Sequence, residues 1–130
     1  MDRDDQEETR PTLPFEGLHV YQRAQDAWGR ALTAGGADPL WVRLEKETRN
    51  AALGIARATA RSRSNGSFST ELEQARGALH AAAAIVDQLT RRGDPVDDDL
   101  RGLLVDSSRM LGALVRSVSQ PREAAEEVAV

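Results

Sequence analysis

The sequence predicts an all-α fold, an antiparallel up-down-up-down four-helix bundle, from three observations. First, the range Phe68–Leu89 places apolar residues at alternating steps of four and three, the period of 3.5 typical of helices packed side by side. Second, Gly35-Gly36 followed by Asp38-Pro39 indicates the end of one helix and the start of the next, and Gly93 followed by Asp94-Pro95 repeats that signal. Third, only 4% of residues are aromatic, so the core must be aliphatic, which suits helix packing better than sandwiches or barrels.

The first two helices are expected over residues 16–34 and 39–62. Asp38 as an N-cap and Pro39 at the first helical position open the second helix. Gly54 inside it costs about 1 kcal/mol relative to Ala, which close approach of another backbone would offset. The second helix has two apolar stripes, so it lies either at the centre of the bundle or against another subunit. The candidate oligomer interface consists of Val42, Leu53, Gly54, Ala56 and Ala60.

The third and fourth helices are expected over residues 67–92 and 95–119. A polar turn, Ser62–Ser67, precedes the third helix, and Thr70–Glu73 matches a capping box. Asp94-Pro95 is expected to open the fourth helix, and Asp97–Asp99 favour its positively polarised start. Pro121 is expected to end it.

The two ends of the chain carry most of its negative charge. Residues 1–10 carry −3 and residues 121–130 carry −2 of a net −4, which leaves +1 for residues 11–120. We expect residues 1–14 to be a disordered acidic N-terminal tail, residues 15–120 to be the bundle, and residues 121–130 to be a loose C-terminal tail that is helical or disordered.

Composition argues against several functional classes. The chain has no cysteine and two histidines, which cannot by themselves build a typical zinc site. The glycines form no phosphate loop after a strand, so no cofactor is expected. No stretch approaches the roughly 20 apolar residues of a membrane span, and the acidic start is not a secretory signal, so a cytoplasmic location is expected. Ser107-Ser108 has no adjacent base in the sequence, so no enzymatic activity is expected.

A group of arginines is the candidate nucleic-acid-binding surface. Four lie on the second helix or at its end with no acid between them, and one on the third helix can approach them across the turn: Arg49, Arg57, Arg61, Arg63 and Arg76. Repeated by subunit symmetry, they would contact phosphates of RNA or DNA. The alternative is a solvated face, or pairing with Glu71 and Glu73 of the same or another subunit.

Four other residues are assigned structural roles. His19 and His80 have no second ligand at metal-binding spacing and are expected to be surface or interface residues. Trp28 and Trp41 are expected to be core or interface anchors.

Three motifs resemble one family. Phe15–Tyr21 (FEGLHVY) is similar to its opening F-x-x-L-x-V-[WY], and Thr48–Ile55 (TRNAALGI) to its L-R-R-A-x-x-S-I. Phe68, followed by Leu72 and Ala75–Ala78 (ARGA), is similar to its F-x-x-x-L-x-x-A-R-G-S. The family comprises small four-helix-bundle proteins named after reading frames in the intervening sequences of bacterial 23S ribosomal RNA genes. It includes the accessory protein of diversity-generating retroelements.

The resemblance implies a homo-oligomer, commonly a pentameric ring, without a settled enzymatic activity. In the retroelement branch it implies association with a reverse transcriptase and nucleic acid. The sequence departs from the family at Ala58–Ser62 (ATARS), where an N-I-A-E-G run is usual, at Gly54, where Ser is usual, and at Ala81, where an acid is common.

Two functional hypotheses follow. The first is a non-catalytic homo-oligomeric module that binds nucleic acid or a nucleic-acid enzyme. The alternative is a protein–protein assembly or scaffold module that binds no nucleic acid.

Overall fold

The computed structural model describes residues 18–34, 36–61 and 66–129, with side chains to residue 118. These ranges contain no strand and four helices: α1 (His19–Ala34), α2 (Pro39–Thr59), α3 (Gly66–Arg92) and α4 (Asp98–Ala129). The predicted all-α class is therefore confirmed for the described part of the chain. The expected N-terminal tail, the expected helix start at residue 16 and the turn residues 62–65 lie outside it.

Each helix packs against two others. α2 contacts α1 and α3, and α4 also contacts α1 and α3, so the four apolar stripes meet around a common core. The predicted seam of α3 is confirmed, because all of its members are buried: Phe68, Leu72, Ala75, Leu79, Ala82, Val86 and Leu89. The largest fully buried side chains are nearly all aliphatic, as the low aromatic content requires.

Small residues line the contact between α2 and α3, the most extensive of the helix pairs. A Cβ built on Gly54 would lie 3.3 Å from the Cβ of Ala75 and 3.8 Å from its Cα. Ala51 and Ala58, on the same side of α2, are fully buried. The expected close approach of another backbone at Gly54 is confirmed, and the partner is α3 of the same chain.

Two helix ends follow their sequence signals. The Asp38 side chain accepts a hydrogen bond from the Leu40 N–H at 3.0 Å, with Pro39 at the first helical position, as predicted. At the end of α3, Gly93 adopts φ +90° and donates to the Thr90 carbonyl. The Asp94 N–H then reaches back to the Leu89 carbonyl at 3.0 Å, which completes a Schellman motif.

The predicted start of α4 at residue 95 is wrong. The helix begins at Asp98, and Asp97 caps it by accepting a hydrogen bond from the Asp99 N–H at 2.9 Å. Asp94 is not the cap because its carboxylate accepts hydrogen bonds from Trp41 and Arg92 instead.

The predicted end of α4 at Pro121 is also wrong, since the helix continues to Ala129. A proline removes one backbone donor and crowds one carbonyl. The Ala and Glu residues that follow are strong helix formers, which favours continuation. At its own end α2 stops at Thr59 rather than at residue 62. There the N–H groups of Ala60 and Arg61 bond to the carbonyls of Arg57 and Ala58, the tighter pattern of a closing turn.

A polar cluster joins the start of α2 to the end of α3. Arg92 lies 3.2 Å from an Asp38 oxygen and 2.6 Å from an Asp94 oxygen, and the Trp41 indole donates to Asp94 at 2.9 Å. The hydrogen bond from Arg92, and after it the one from Trp41, lowers the pKa of Asp94 from 3.8 to about 2. The same Arg92 lowers the pKa of Asp38.

Substitution of Gly54 tests the close approach of α2 and α3. Gly54→Leu should lower the free energy of unfolding by about 1–3 kcal/mol, because the new side chain meets Ala75 with no room to turn away. Gly77→Leu is the matched control, since a Cβ at Gly77 meets nothing within 4 Å. Urea unfolding followed by circular dichroism measures both; equal losses in the two variants would contradict the close packing.

Asp94 gives the fold a defined acid sensitivity. Its pKa is lowered in the folded chain, so the ionised carboxylate favours folding above pH 3.8, and this contribution is lost as the pH falls through about 2. Asp94→Asn should therefore be less stable than the parent near neutral pH, with a gap that closes between these two values. Urea titrations across the acid range measure the gap, and a gap that persists at the acid end would contradict the assignment.

Candidate functional site

A groove between α3 and α4, about 480 Å³ in volume, is lined by both polar and apolar side chains. Its polar side chains come from both helices: Arg76, His80 and Asp87 from α3, and Ser108 and Arg109 from α4. Its floor is apolar and consists of Leu79, Ala83, Ala84, Leu104 and Val105. We refer to this feature as the α3–α4 groove.

A histidine and a serine meet in the middle of the α3–α4 groove. The Nε2 atom of His80 lies 2.7 Å from the Oγ atom of Ser108, and Ser108 is 9% exposed. Ser108 has no adjacent base in the sequence, but the fold brings His80 into contact with it. The base lies 28 positions earlier in the chain and arrives through the packing of the two helices.

Two arginines converge at one end of the α3–α4 groove, above a glycine. A Cβ built on Gly112 would lie 3.4 Å from Nη1 of Arg116 and 3.5 Å from Cζ of Arg76. The absence of a side chain at residue 112 leaves the space that the two guanidinium groups share. Arg109 lies one turn before Gly112 on the same helix.

Arg76 has one acidic neighbour, Glu73, at 3.7 Å, and that carboxylate is half exposed. The Nε atom of Arg76 is buried and has no hydrogen-bond partner among the described residues. Within the same part of the chain, Arg109 and Arg116 form no ion pair. Two cationic side chains, Arg76 and Arg109, thus line the groove, and Arg116 lies next to Arg76, with Glu73 as one weak counter-charge.

The predicted nucleic-acid surface is partly neutralised within the chain. Arg57 and Arg61 approach the two oxygens of Glu71 at 3.4 and 3.7 Å, so two cations share one carboxylate. Both arginines remain about half exposed, at 56% and 46%. Arg49 pairs with Glu45 one turn earlier at 3.2 Å.

The structure does not gather all five predicted arginines at one place. Arg76 points to the α3–α4 groove, where it reaches the space above Gly112, whereas Arg57 and Arg61 lie beside Glu71 at the end of α2. Arg63 lies outside the described residues.

The two tryptophans combine burial with hydrogen bonding. Trp41 is buried, and its indole donates to Asp94. Trp28 is partly buried against the core, and its indole donates to Glu45 at 3.0 Å. Both are thus anchors with one apolar and one polar contact.

The candidate interface on α2 separates into exposed and buried residues. Val42 is 52% exposed and Leu53 41%, so both remain on the outer face of α2. Ala60 is exposed and Ala56 half-buried. Gly54 is buried against α3 of the same chain, which removes it from the outer face.

The sequence analysis missed one exposed leucine. Leu32 of α1 is 54% exposed and, with Trp41 and Val42, lines a shallow cavity of about 190 Å³ between α1 and α2. In the sequence, the signal for Leu32 is an apolar residue near the end of α1, close to Gly36. We call the exposed apolar residues Leu32, Val42 and Leu53 the outer apolar patch; Leu32 and Val42 line the same cavity, and Leu53 lies three helical turns further along α2.

Within the described ranges, no group of three or more His, Cys, Asp or Glu residues could hold a metal ion. Asp97, one of three consecutive aspartates, caps α4 and pairs with Arg30. No helix in the described part of the chain is long and apolar enough to cross a membrane.

Comparisons of the chain with family models, curated proteins and solved structures find no match.

Proposed function

We propose that this chain is an antiparallel up-down-up-down four-helix bundle that assembles with copies of itself and carries out no catalysis. Contacts between opposite helix ends support the topology. Arg30, near the end of α1, pairs with Asp97 at the start of α4, and Arg92, at the end of α3, pairs with Asp38 at the start of α2.

The outer apolar patch is the observation that carries the assembly. Val42 and Leu53 are eleven positions apart, which is three helical turns, so they share one face of α2. Leu32 extends the patch onto α1 beside Val42. Covering such side chains removes apolar surface from water, which is favourable by roughly 25 cal/mol per Å².

Charge around the patch favours a second copy as the occupant. Lys46 and Arg49 lie between Val42 and Leu53 on α2, and Glu45 and Glu47 lie beside them. A surface with both signs of charge can pair with itself when two copies meet in opposite directions. Charged residues at the rim of such an interface set the relative orientation of the two copies, while burial of the apolar residues drives the association.

The geometry of the His80–Ser108 pair supports a non-catalytic role. No carboxylate or carbonyl within the described ranges holds the other ring nitrogen of His80, as a catalytic base requires. Ser108 lies inside α4, where backbone N–H groups are engaged in the helix and cannot stabilise an oxyanion.

The family resemblance adds detail to this proposal. A member of the 23S rRNA intervening-sequence family would form a pentameric ring, and a cytoplasmic location would suit a chain without cysteine. Association with RNA, DNA or a nucleic-acid enzyme is the second candidate function. Arg57 and Arg61 favour it, because one carboxylate cannot neutralise both charges and both remain half exposed.

Light scattering after size-exclusion chromatography tests the assembly. We expect the parent chain to have a mass of at least twice the 14.2 kDa of one chain, in a whole-number ratio. The double variant Val42→Glu, Leu53→Glu should be monomeric, because burying the new carboxylates opposes association. Both positions are exposed, so the helical circular dichroism signal should be retained.

The matched control for this test is Gln25→Glu, Gln88→Glu, which adds the same charge at exposed positions of α1 and α3. It should keep the parent mass. A parent chain that is monomeric at all concentrations, or a double variant that keeps the parent mass, would reject the assembly.

Titration of labelled duplex and single-stranded RNA and DNA tests the second candidate. Affinity should fall as salt rises, and Arg57→Gln, Arg61→Gln should weaken binding and reduce the salt dependence. Arg23→Gln, Arg101→Gln removes the same charge from two other ion-paired, half-exposed positions and is the control. Equal losses in both pairs would assign the binding to net charge alone and contradict a site at the end of α2.

A further inference from the structure

We propose that the α3–α4 groove binds a small organic anion with one charged head group and an apolar body. The head group lies between Arg76, Arg109 and Arg116, and the apolar body lies along the floor formed by Ala83, Ala84 and Val105. This site is distinct from the outer apolar patch on α1 and α2, so it does not depend on self-association.

The convergence of cations identifies the position of the head group. Guanidinium atoms of Arg76 and Arg116 lie 3.4 to 3.6 Å from the position that a Cβ of residue 112 would take, so the two cationic groups are close neighbours. Neighbouring like charges repel each other, and an anion bound beside both groups would relieve that repulsion. Glu73, half exposed and 3.7 Å from Arg76, does not supply that anion for Arg116.

An unpartnered donor supports the same position. The Nε–H of Arg76 is buried without a hydrogen-bond acceptor among the described residues. Arginine presents its donors in a planar fork that matches the oxygens of a carboxylate or phosphate. The Arg76 side chain is 37% exposed, and an oxyanion bound at its accessible side would neutralise the two guanidinium groups.

The middle of the groove provides a further polar contact. Ser108 and His80 are hydrogen-bonded to each other at 2.7 Å next to Arg109. A hydroxyl and an imidazole that already share one hydrogen bond still offer additional donor and acceptor capacity to a ligand. They mark the boundary between the cationic end and the apolar floor.

The far end of the groove restricts the ligand to one anionic group. Asp87 lines that end, and Arg101 donates a hydrogen bond to it at 2.9 Å. A second negative charge on the ligand would meet the Asp87 carboxylate there. Asp87 is three helical turns from Arg76, roughly 16 Å along α3. The volume of about 480 Å³ lies in the range of small-molecule sites.

Isothermal titration with 1-naphthyl phosphate, 1-naphthoate and inorganic phosphate tests the proposal. We expect one naphthyl ligand per chain and weaker binding of inorganic phosphate, which lacks the apolar body. The two naphthyl compounds distinguish a phosphate from a carboxylate head group. Inorganic phosphate binding as tightly as both would overturn the role of the apolar floor.

Two variants locate the site. Arg116→Gln should weaken naphthyl ligand binding roughly tenfold or more, since one charge-assisted hydrogen bond is lost. Gly112→Leu should weaken binding as well, because a side chain beyond the Cβ would displace both guanidinium groups. Arg23→Gln and Gly29→Leu are the matched controls on α1, where a Cβ at Gly29 meets nothing within 4 Å.

Retention of parent affinity in Arg116→Gln overturns the proposal, even if Gly112→Leu fails to fold, because residue 116 is exposed. Oligonucleotide binding that is lost in Arg116→Gln, with no binding of either naphthyl compound, also overturns it and assigns the groove to nucleic acid. A monomeric parent chain that binds the naphthyl ligand would reject self-assembly and leave this site standing.

Discussion

The close approach of α2 and α3 is the constraint on which the other features depend. Gly54 and Ala75 bring the two helices together where larger side chains would hold them apart. In this position the apolar seam of α3 faces the common core, and the side of α3 that carries Arg76 and His80 faces α4. The α3–α4 groove and the α2–α3 contact therefore use neighbouring faces of α3.

The same contact determines which face of α2 remains exposed to solvent. One side of α2 is covered by α3 and another by α1, so the remaining face carries Val42 and Leu53 into solvent. Where α2 begins and α3 ends, Arg92 forms ion pairs with both Asp38 and Asp94, and the Trp41 indole donates a hydrogen bond to Asp94. Small-residue packing sets the distance between the helices, and this polar cluster sets their alignment along the axis.

Much of the fold could be predicted because its signals are local. The seam of α3 follows from spacing along one helix, and the start of α2 follows from Asp38-Pro39. The start of α4 could not be predicted in the same way. Asp94 and Asp97 are both suitable caps, and the choice between them depends on two partners of Asp94: Arg92, two residues earlier in the chain, and Trp41, which reaches it from α2.

The candidate site was less predictable for a related reason. His80 and Ser108 each appear unremarkable within their own helix, and their contact depends on how α3 and α4 are aligned. The arginine cluster was visible in the sequence, and the predicted alternative of pairing with Glu71 and Glu73 is confirmed within the chain. What the sequence did not show is that Arg57 and Arg61 share the one carboxylate of Glu71. Leu32 was missed because a single exposed leucine resembles an ordinary surface residue.

The small residues at the contact between α2 and α3 also have an evolutionary consequence. Between α2 and α3 almost any replacement enlarges a side chain, so Gly54 and Ala75 should be among the least replaceable positions in a library of random variants. Elsewhere aliphatic residues can exchange with one another at modest cost. Sequences descended from this chain are therefore expected to diverge widely at outer positions while they retain the glycine and alanine residues of the α2–α3 contact.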